Sequence, residues 1–188
     1  METSKNRLTD QQTQFINSMK LFLDTKLYFY GSINRTDYFP DHSDIDIDIF
    51  THDVNGMVLK LKQYLNLETQ DFKHFVYRLI TKNNFIASGV KTAYNNLEKN
   101  IRLEISIYNN KFKQKILEEH NRKTNFPFII SNSLFFIKYI HYILPLLPRT
   151  LYSKLKSFLM HECMGERTGD FLVTDVTKEE AFKHFISE

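Results

Sequence analysis

Residues 27–50, LYFYGSINRTDYFPDHSDIDIDIF, contain the pattern that decides the fold. In the second half of this stretch Asp44, Asp46 and Asp48 alternate with three isoleucines. Strict alternation predicts a β-strand, because successive side chains of a strand point to opposite faces of the sheet. The isoleucines are therefore expected in a core. The aspartates are expected on the other face, where side chains two positions apart are about 6–7 Å from each other.

Carboxylates at this spacing are suited to holding divalent cations, which activate the attacking oxygen and neutralise the leaving group in nucleotidyl transfer. A solvated edge strand is the alternative, but Asp is a poor strand former and three like charges in one row repel. Gly31 and Ser32 follow the apolar run 27–30 and predict the start of a short helix. The free N–H groups of such a helix can hold a phosphate, although an ordinary helix cap fits the same two residues.

A strand that ends in Gly-Ser, followed by a loop and by Ser-Asp-Ile-Asp on the next strand, resembles the signature of the DNA polymerase β-like nucleotidyltransferase superfamily. The motif is most similar to that of terminal nucleotidyltransferases, which include poly(A) and poly(U) polymerases. The resemblance implies an α+β fold, with a nucleotidyltransferase-type mixed β-sheet flanked by helices and a C-terminal helical cap. It also implies that Gly31 and Ser32 bind the triphosphate of an NTP, and that Asp44 and Asp46 are catalytic residues that bind two Mg²⁺ (or Mn²⁺).

A third carboxylate is expected from a later strand. Residues 102–108 alternate again, and the run LEISIYN at 103–109 resembles the third catalytic strand of terminal nucleotidyltransferases. This resemblance implies that Glu104 is a catalytic residue and metal ligand that takes the proton of the acceptor hydroxyl. The alternative is a Glu104 that simply pairs with Arg102 or a nearby lysine. Asp48 has no assigned role in the superfamily, and we expect it to hold a neighbouring ligand or basic residue rather than a metal.

Two residues of the last third are candidates for nucleotide binding. The run FFIKY at 135–139 is similar to a helix of poly(A) and poly(U) polymerases whose lysine touches the triphosphate, which implies this role for Lys138. The alternative is a lysine whose stem snorkels out of a helical core. Tyr152, flanked by Lys154 and Lys156, is of a type that stacks on a nucleotide base, and the alternative is an amphipathic helix with a basic face.

The chain has 188 residues, room for one domain with a small helical appendage. We predict a catalytic core at 1–125 and a helical region packed on it at 126–188, with helices alone in that region and a loop at 92–100.

The net charge of +3 permits a polyanionic partner without requiring one. A single cysteine excludes an internal disulfide, and the N-terminus lacks the apolar core of a signal peptide, so we expect a soluble cytoplasmic protein. The apolar stretch 126–147 contains Lys138 and two prolines, which favours a buried helix over a membrane span.

Taken together, these patterns predict a metal-dependent nucleotidyltransferase that moves an NMP from an NTP to an acceptor hydroxyl and releases pyrophosphate. The sequence leaves the acceptor open between an RNA 3′ end, a protein and a small molecule, and it leaves the oligomeric state open. A catalytically silent nucleotide-binding or regulatory subunit of the same fold is one alternative, which the full set of carboxylates disfavours. A cyclic-oligonucleotide synthase is another, which the short helical region disfavours.

Overall fold

The computed structural model describes residues 2–79, 85–164 and 171–174. The helices in this part of the chain are α1 (Asp10–Leu23), α2 (Val54–Leu65), α3 (Lys113–Thr124), α4 (Phe128–Tyr142) and α5 (Arg149–Met164). The strands are β1 (Leu27–Tyr30), β2 (Ile45–Thr51), β3 (Lys73–Leu79), β4 (Phe85–Asn96), β5 (Ile101–Asn109) and β6 (Phe171–Thr174). Short 3₁₀ turns occupy Gly31–Asn34, Thr69–Asp71 and Asn110–Phe112.

The strands form one mixed sheet in the order β1-β2-β5-β4-β3-β6. Strands β2 and β5 run parallel, and every other neighbouring pair is antiparallel. The predicted α+β class, with helices flanking a mixed sheet, is confirmed. The register places Asp46 beside Tyr30 of β1 on one side and beside Glu104 of β5 on the other. Two of the predicted site carboxylates are therefore lateral neighbours in the sheet.

One face of the sheet carries the main hydrophobic core. The three isoleucines of β2 lie there and are almost completely buried, as their alternation with aspartate predicted. Helices α1 and α2 cover this face with apolar side chains that include Met19, Leu23 and Leu61. Burying one such side chain stabilises the fold by about 1.5–3 kcal/mol. This core holds the isoleucine face of β2 in place, and the aspartates of β2 lie on the opposite face of the sheet.

Helix α3 covers only part of that opposite face. Its residue Ile116 packs in an aromatic cluster with Tyr28, Phe75 and Tyr108 of the sheet. Towards the start of β2 the described residues leave this face of the sheet open, and Ala93 on β4 is exposed there. The uncovered end of this face is where the candidate site lies.

Two predictions about the later strands are wrong. The predicted loop at 92–100 is mostly strand, because the backbone of residues 92–96 pairs with residues 101–105 of β5 and only 97–100 form the turn. Helices do not fill the whole C-terminal third, because Phe171–Thr174 pairs as β6 with the outer edge of β3. The polar composition of residues 92–96 hid the extension of β4. Strand β6 is apolar, but its partner β3 lies far earlier in the chain, and pairing over that distance leaves no local pattern in the sequence.

The prediction of a buried helix at 126–147 is only half right. Leu134 and Lys138 of α4 are buried, whereas Phe128 and Phe136 are 80% and 62% exposed, because only one side of α4 contacts the rest of the described chain. No helix of the described residues is long and apolar enough to span a bilayer. The division into a core at 1–125 and a packed helical region at 126–188 stays a prediction.

Candidate active site

Three carboxylates lie at the uncovered end of the sheet. Asp44 immediately precedes β2, Asp46 is within it, and Glu104 is directly beside Asp46 on the parallel strand β5. Neighbouring strands are about 4.8 Å apart, so the side chains of Asp46 and Glu104 emerge next to each other. Asp44 is exposed, Asp46 is half-buried, and the Glu104 side chain is 41% exposed. The strand register thus brings together the three residues that the sequence predicted.

The electrostatics of this cluster favour binding of cations. Burial, reinforced by the negative charges of Glu104 and Asp44, raises the pKa of Asp46 to about 7. Burial and the charge of Glu104 also raise the pKa of Asp44, while Arg102 acts in the opposite direction. Each carboxylate therefore makes ionisation of its neighbour harder, a conflict that a bound cation would relieve.

The donor set suits a hard divalent ion, since carboxylate oxygens are the ligands that Mg²⁺ and Mn²⁺ prefer. In the described part of the chain, however, no group of three or more His, Cys, Asp or Glu side chains is gathered tightly enough to hold a metal. The Glu104 carboxylate instead lies 3.4 Å from the Lys91 ammonium. The residues present fit a divalent cation by chemistry and by strand position, with Glu104 turned towards its neighbouring lysine.

Position 31 must be a glycine because Asp46 packs directly against its Cα atom. Its φ of +70° lies in the left-handed region. A Cβ atom at this position would stand 1.9 Å from Asp46 Oδ2, so no side chain fits. The helix predicted after Gly31 is a single 3₁₀ turn, Gly31–Asn34, in which Ser32 is buried and Asn34 donates a hydrogen bond to the Phe29 carbonyl. The Gly-Ser turn and the first carboxylate strand are thus one packed unit.

Asp48 lies outside the open cluster. Its side chain is 0% exposed, and its Oδ2 atom is 2.6 Å from Nε2 of His120 on α3. The His120 ring stacks on Tyr30 at a centroid distance of 4.3 Å, directly before the Gly31 turn. Burial raises the pKa of Asp48, and the imidazole counteracts that effect. His120 was missed by sequence reasoning, and the extra aspartate at position 48 was the one signal that a buried partner existed.

Lys138 reaches into the core region rather than into solvent. Its ammonium donates hydrogen bonds to the main-chain oxygen and to Oδ2 of Asp37, both at 2.8 Å. Arg35 binds the same carboxylate through two hydrogen bonds of 2.8 and 3.1 Å. Burial lowers the pKa of Lys138, and Asp37 partly restores it. This buried network, which sequence reasoning missed, ties the loop after Gly31–Asn34 to α4, and a triphosphate contact by Lys138 stays a prediction.

Tyr152 packs between α4 and α5. Its ring stacks on His141 at 4.3 Å, and its hydroxyl is 3.4 Å from that of Tyr142. Lys156 follows one helical turn later on the same side of α5. The positive charge of Lys156 partly opposes the rise in the pKa of Asp44 and of Asp46, so Lys156 lies within electrostatic reach of both carboxylates. Base stacking by Tyr152 stays a prediction.

Comparison with known proteins agrees with this arrangement. The family model described as a nucleotidyltransferase domain matches residues 12–123, which include Gly31, Ser32 and all three carboxylates. The resemblance to the DNA polymerase β-like nucleotidyltransferase superfamily is thereby confirmed. No curated protein is significantly similar to the chain.

Several solved structures match the chain at low identity and low TM-score. The match to the RNA terminal uridylyl transferase Cid1 has 13% identity and a TM-score of 0.38, covering 72% of this chain and 43% of that chain. A match to the GLD-2/RNP-8 complex has 13% identity and a TM-score of 0.38, with 85% and 62% coverage. The polymerase core of TRAMP, an RNA surveillance complex, matches at 15% identity and a TM-score of 0.35, with 94% and 54% coverage. The chain thus spans roughly half the length of the solved chains, from 43% to 62%.

Replacing Gly31 with alanine should destabilise the protein through Asp46. The left-handed backbone alone costs roughly 1–2 kcal/mol for a residue with a Cβ. The collision with Asp46 Oδ2 should add to that penalty in the parent protein and not in an Asp46→Ala background. Urea unfolding of the four proteins in this double-mutant cycle measures the difference. Equal penalties in both backgrounds would contradict the contact.

The raised pKa of Asp46 predicts a pH-dependent stability in the absence of metal. A carboxyl whose folded-state pKa is about 7, against about 3.9 when unfolded, favours the folded state while it is protonated. That contribution is complete below about pH 4 and disappears as the pH rises through about 7. Asp46→Asn does not titrate, so it should gain stability relative to the parent between pH 5 and pH 8. Urea unfolding in EDTA tests this, and a constant difference across that range would refute it.

Proposed function

The chain belongs to the nucleotidyltransferase domain family, and we propose that it is a metal-dependent enzyme that moves an NMP from an NTP to an acceptor hydroxyl. One observation carries the proposal: Asp46 and Glu104 are lateral neighbours on parallel strands, and the turn at Gly31 is packed against Asp46. Carboxylates and a phosphate-binding turn are the two parts that nucleotidyl transfer needs. The turn Gly31–Asn34, which we propose binds the phosphates, packs against Asp46, and this contact supports the proposal.

In the proposed reaction the acceptor oxygen attacks the α-phosphorus of the NTP. A new P–O bond forms, the bond to the β-phosphate oxygen breaks, and pyrophosphate leaves with the electron pair. Glu104 takes the proton of the attacking hydroxyl, since its side chain is 41% exposed beside Asp46. Asp44, Asp46 and Glu104 would hold Mg²⁺ or Mn²⁺, which supplies positive charge that offsets the phosphates.

The triphosphate is proposed to lie over the turn Gly31–Asn34. Main-chain N–H groups of the turn and the hydroxyl of Ser32 donate hydrogen bonds to phosphate oxygens. Lys138 contributes through the Asp37 network, which fixes the loop beyond the turn. Tyr152 is proposed to border the base from α5. Tyr152 and Lys138 already have protein partners, so in this conformation they hold neighbouring elements of the site in place. Direct contact of either residue with the nucleotide requires these partners to be exchanged.

A catalytically silent nucleotide-binding subunit is the second candidate, and one observation favours it. The Lys91 ammonium stands beside Glu104, where a lysine lowers the affinity of a carboxylate for metal. The mutual repulsion of Asp44, Asp46 and Glu104 favours the enzyme instead, because the charges are retained at the expense of stability. Turnover separates the two candidates directly.

The proposal predicts transfer of label from an NTP. The protein is incubated with each α-³²P-labelled NTP and Mg²⁺ or Mn²⁺, and RNA, total protein and small-molecule pools are offered as acceptors. Label should enter one pool with release of pyrophosphate, and an Asp44→Ala/Asp46→Ala variant should give none. Absence of label in every pool, together with a rise in melting temperature on adding NTP and metal, would assign the silent subunit instead.

Glu104 and Asp48 should behave differently when their charge is removed. Glu104→Gln should slow the chemical step by about 10²-fold or more, the scale of losing a general base, with little change in NTP affinity. Asp48→Asn is the matched control, because Asp48 is buried against His120 and does not reach the open cluster. Single-turnover rates at saturating NTP and metal decide the matter. A slower Asp48→Asn enzyme would show that the third carboxylate has been misassigned.

A further inference from the structure

Helix α4 has an inverted distribution of polar and apolar side chains. Lys138, the one Lys, Arg, Asp or Glu among the described residues of this helix, is buried, whereas large apolar side chains are exposed on the opposite side. A surface helix normally turns its charged side to water and its apolar side to the core. We name the exposed surface the α4 stripe, and its residues are Phe128, Ile129, Asn132, Phe135, Phe136, Tyr139 and Ile143.

The exposed apolar area is larger than that of an ordinary monomer surface. Beyond the helix the α4 stripe continues into Leu144 and Leu146, which are also exposed. At about 200 Å² for a fully exposed aromatic side chain, and somewhat less for Leu or Ile, the exposed fractions of these side chains amount to roughly 800 Å². The largest apolar patch of a typical monomer is about 300–600 Å². Each partner of a standard-size protein interface buries about 800 Å², so the area matches one side of such an interface.

The α4 stripe has nearly the same pattern when it is read from either end. Its midpoint lies between Phe135 and Phe136, and reversal about that midpoint exchanges Phe128 with Ile143. Six of the seven positions of the stripe map in this way onto another position of the stripe. A two-fold axis brings the same surface of two copies together, with each residue near the reversed position of the other copy. Two α4 helices can therefore lie antiparallel, with their stripes in contact over about 22 Å.

The polarity of the α4 stripe also suits a second copy. None of its seven residues is charged, so contact between two copies brings no like charges together. The reversal sets Asn132 at the level of Tyr139 of the second copy, where the amide and the hydroxyl can form a hydrogen bond. A helix that lies in a membrane surface instead has a polar face rich in Lys or Arg opposite its apolar face. The opposite face of α4 is packed against protein through Leu134 and Lys138.

We propose that the α4 stripe is the interface of a homodimer, in which the α4 helices of two copies lie antiparallel about a two-fold axis near Phe135 and Phe136. The dimer removes the exposed apolar area of both copies from water. The side of α4 that carries Lys138 stays bound to Asp37, so dimerisation requires no rearrangement of the candidate active site.

Sedimentation equilibrium of the 188-residue chain tests the proposal. The parent protein should be a dimer at micromolar concentration. Phe136→Glu and Phe136→Lys each place like charges beside the axis, so each variant alone should be a monomer with an unchanged circular dichroism spectrum. An equimolar mixture of the two variants should restore the dimer, because opposite charges then meet. The matched control is Leu21→Glu, at an 81% exposed position of α1, and it should stay dimeric.

A cysteine cross-link tests the position of the axis. In a Cys163→Ser background, which removes the one native cysteine, Phe136→Cys should form a disulfide-linked dimer on mild oxidation. The reason is that residues beside a two-fold axis meet their own copies, at the short separation that a disulfide requires. Leu21→Cys in the same background should stay unlinked.

Three outcomes would overturn the proposal. A parent protein that stays monomeric up to its solubility limit would do so, whether or not it binds vesicles of phosphatidylcholine and phosphatidylserine. A monomer in which the Phe136→Cys thiol is shielded from maleimide would show that the chain covers its own stripe. A dimer that persists in both charged variants of Phe136 would place the interface elsewhere. No nucleotide enters these measurements, so their outcome is independent of the proposed function.

Discussion

The parallel pairing of β2 with β5 is the interaction on which the rest of the structure depends. It aligns the isoleucines of β2 with the apolar residues of β5 on one face, and it sets Asp46 beside Glu104 on the other. A slip of one residue would exchange the two faces, placing isoleucines in solvent and carboxylates in the core. The same set of main-chain hydrogen bonds therefore holds the hydrophobic core and the candidate site, and neither can shift without the other.

Buried carboxylates differ from the carboxylates at the open end of the sheet in whether they have a cationic partner. Among the described residues, the three buried anions away from the opening each have a cationic or imidazole partner: Asp37 has Arg35 and Lys138, Asp48 has His120, and Glu119 has Arg122. Asp44 and Asp46 have none in the same part of the chain. This distribution of charge supports the proposal that the open carboxylates bind cations, because a structural ion network would pair them with cationic side chains.

The parts of the site that sequence could predict are the ones encoded locally. Alternation fixed the faces of β2 and β5, and the Gly-Ser pair marked the turn, because each is a pattern of a few neighbouring residues. The partners of Asp48 and Lys138 could not be predicted, since His120 and Asp37 are brought to them only by packing of α3 and α4. The length of β4 escaped for the same reason, as Thr92 to Asn96 are polar and become strand by pairing with β5. The contact between Gly31 and Asp46 could not be predicted either, because it depends on how the turn packs against β2, although the sequence had indicated both residues.

The repulsion among Asp44, Asp46 and Glu104 gives the proposed function a consequence for the lifetime of the protein in a cell. A ligand that binds only the folded state stabilises it in proportion to the logarithm of its concentration. If the proposed site binds cations and nucleotide, their binding would reduce this repulsion and slow the opening events that expose a chain to proteases. The abundance of the protein would then follow the supply of divalent ions and NTP, because copies without these ligands would be degraded first.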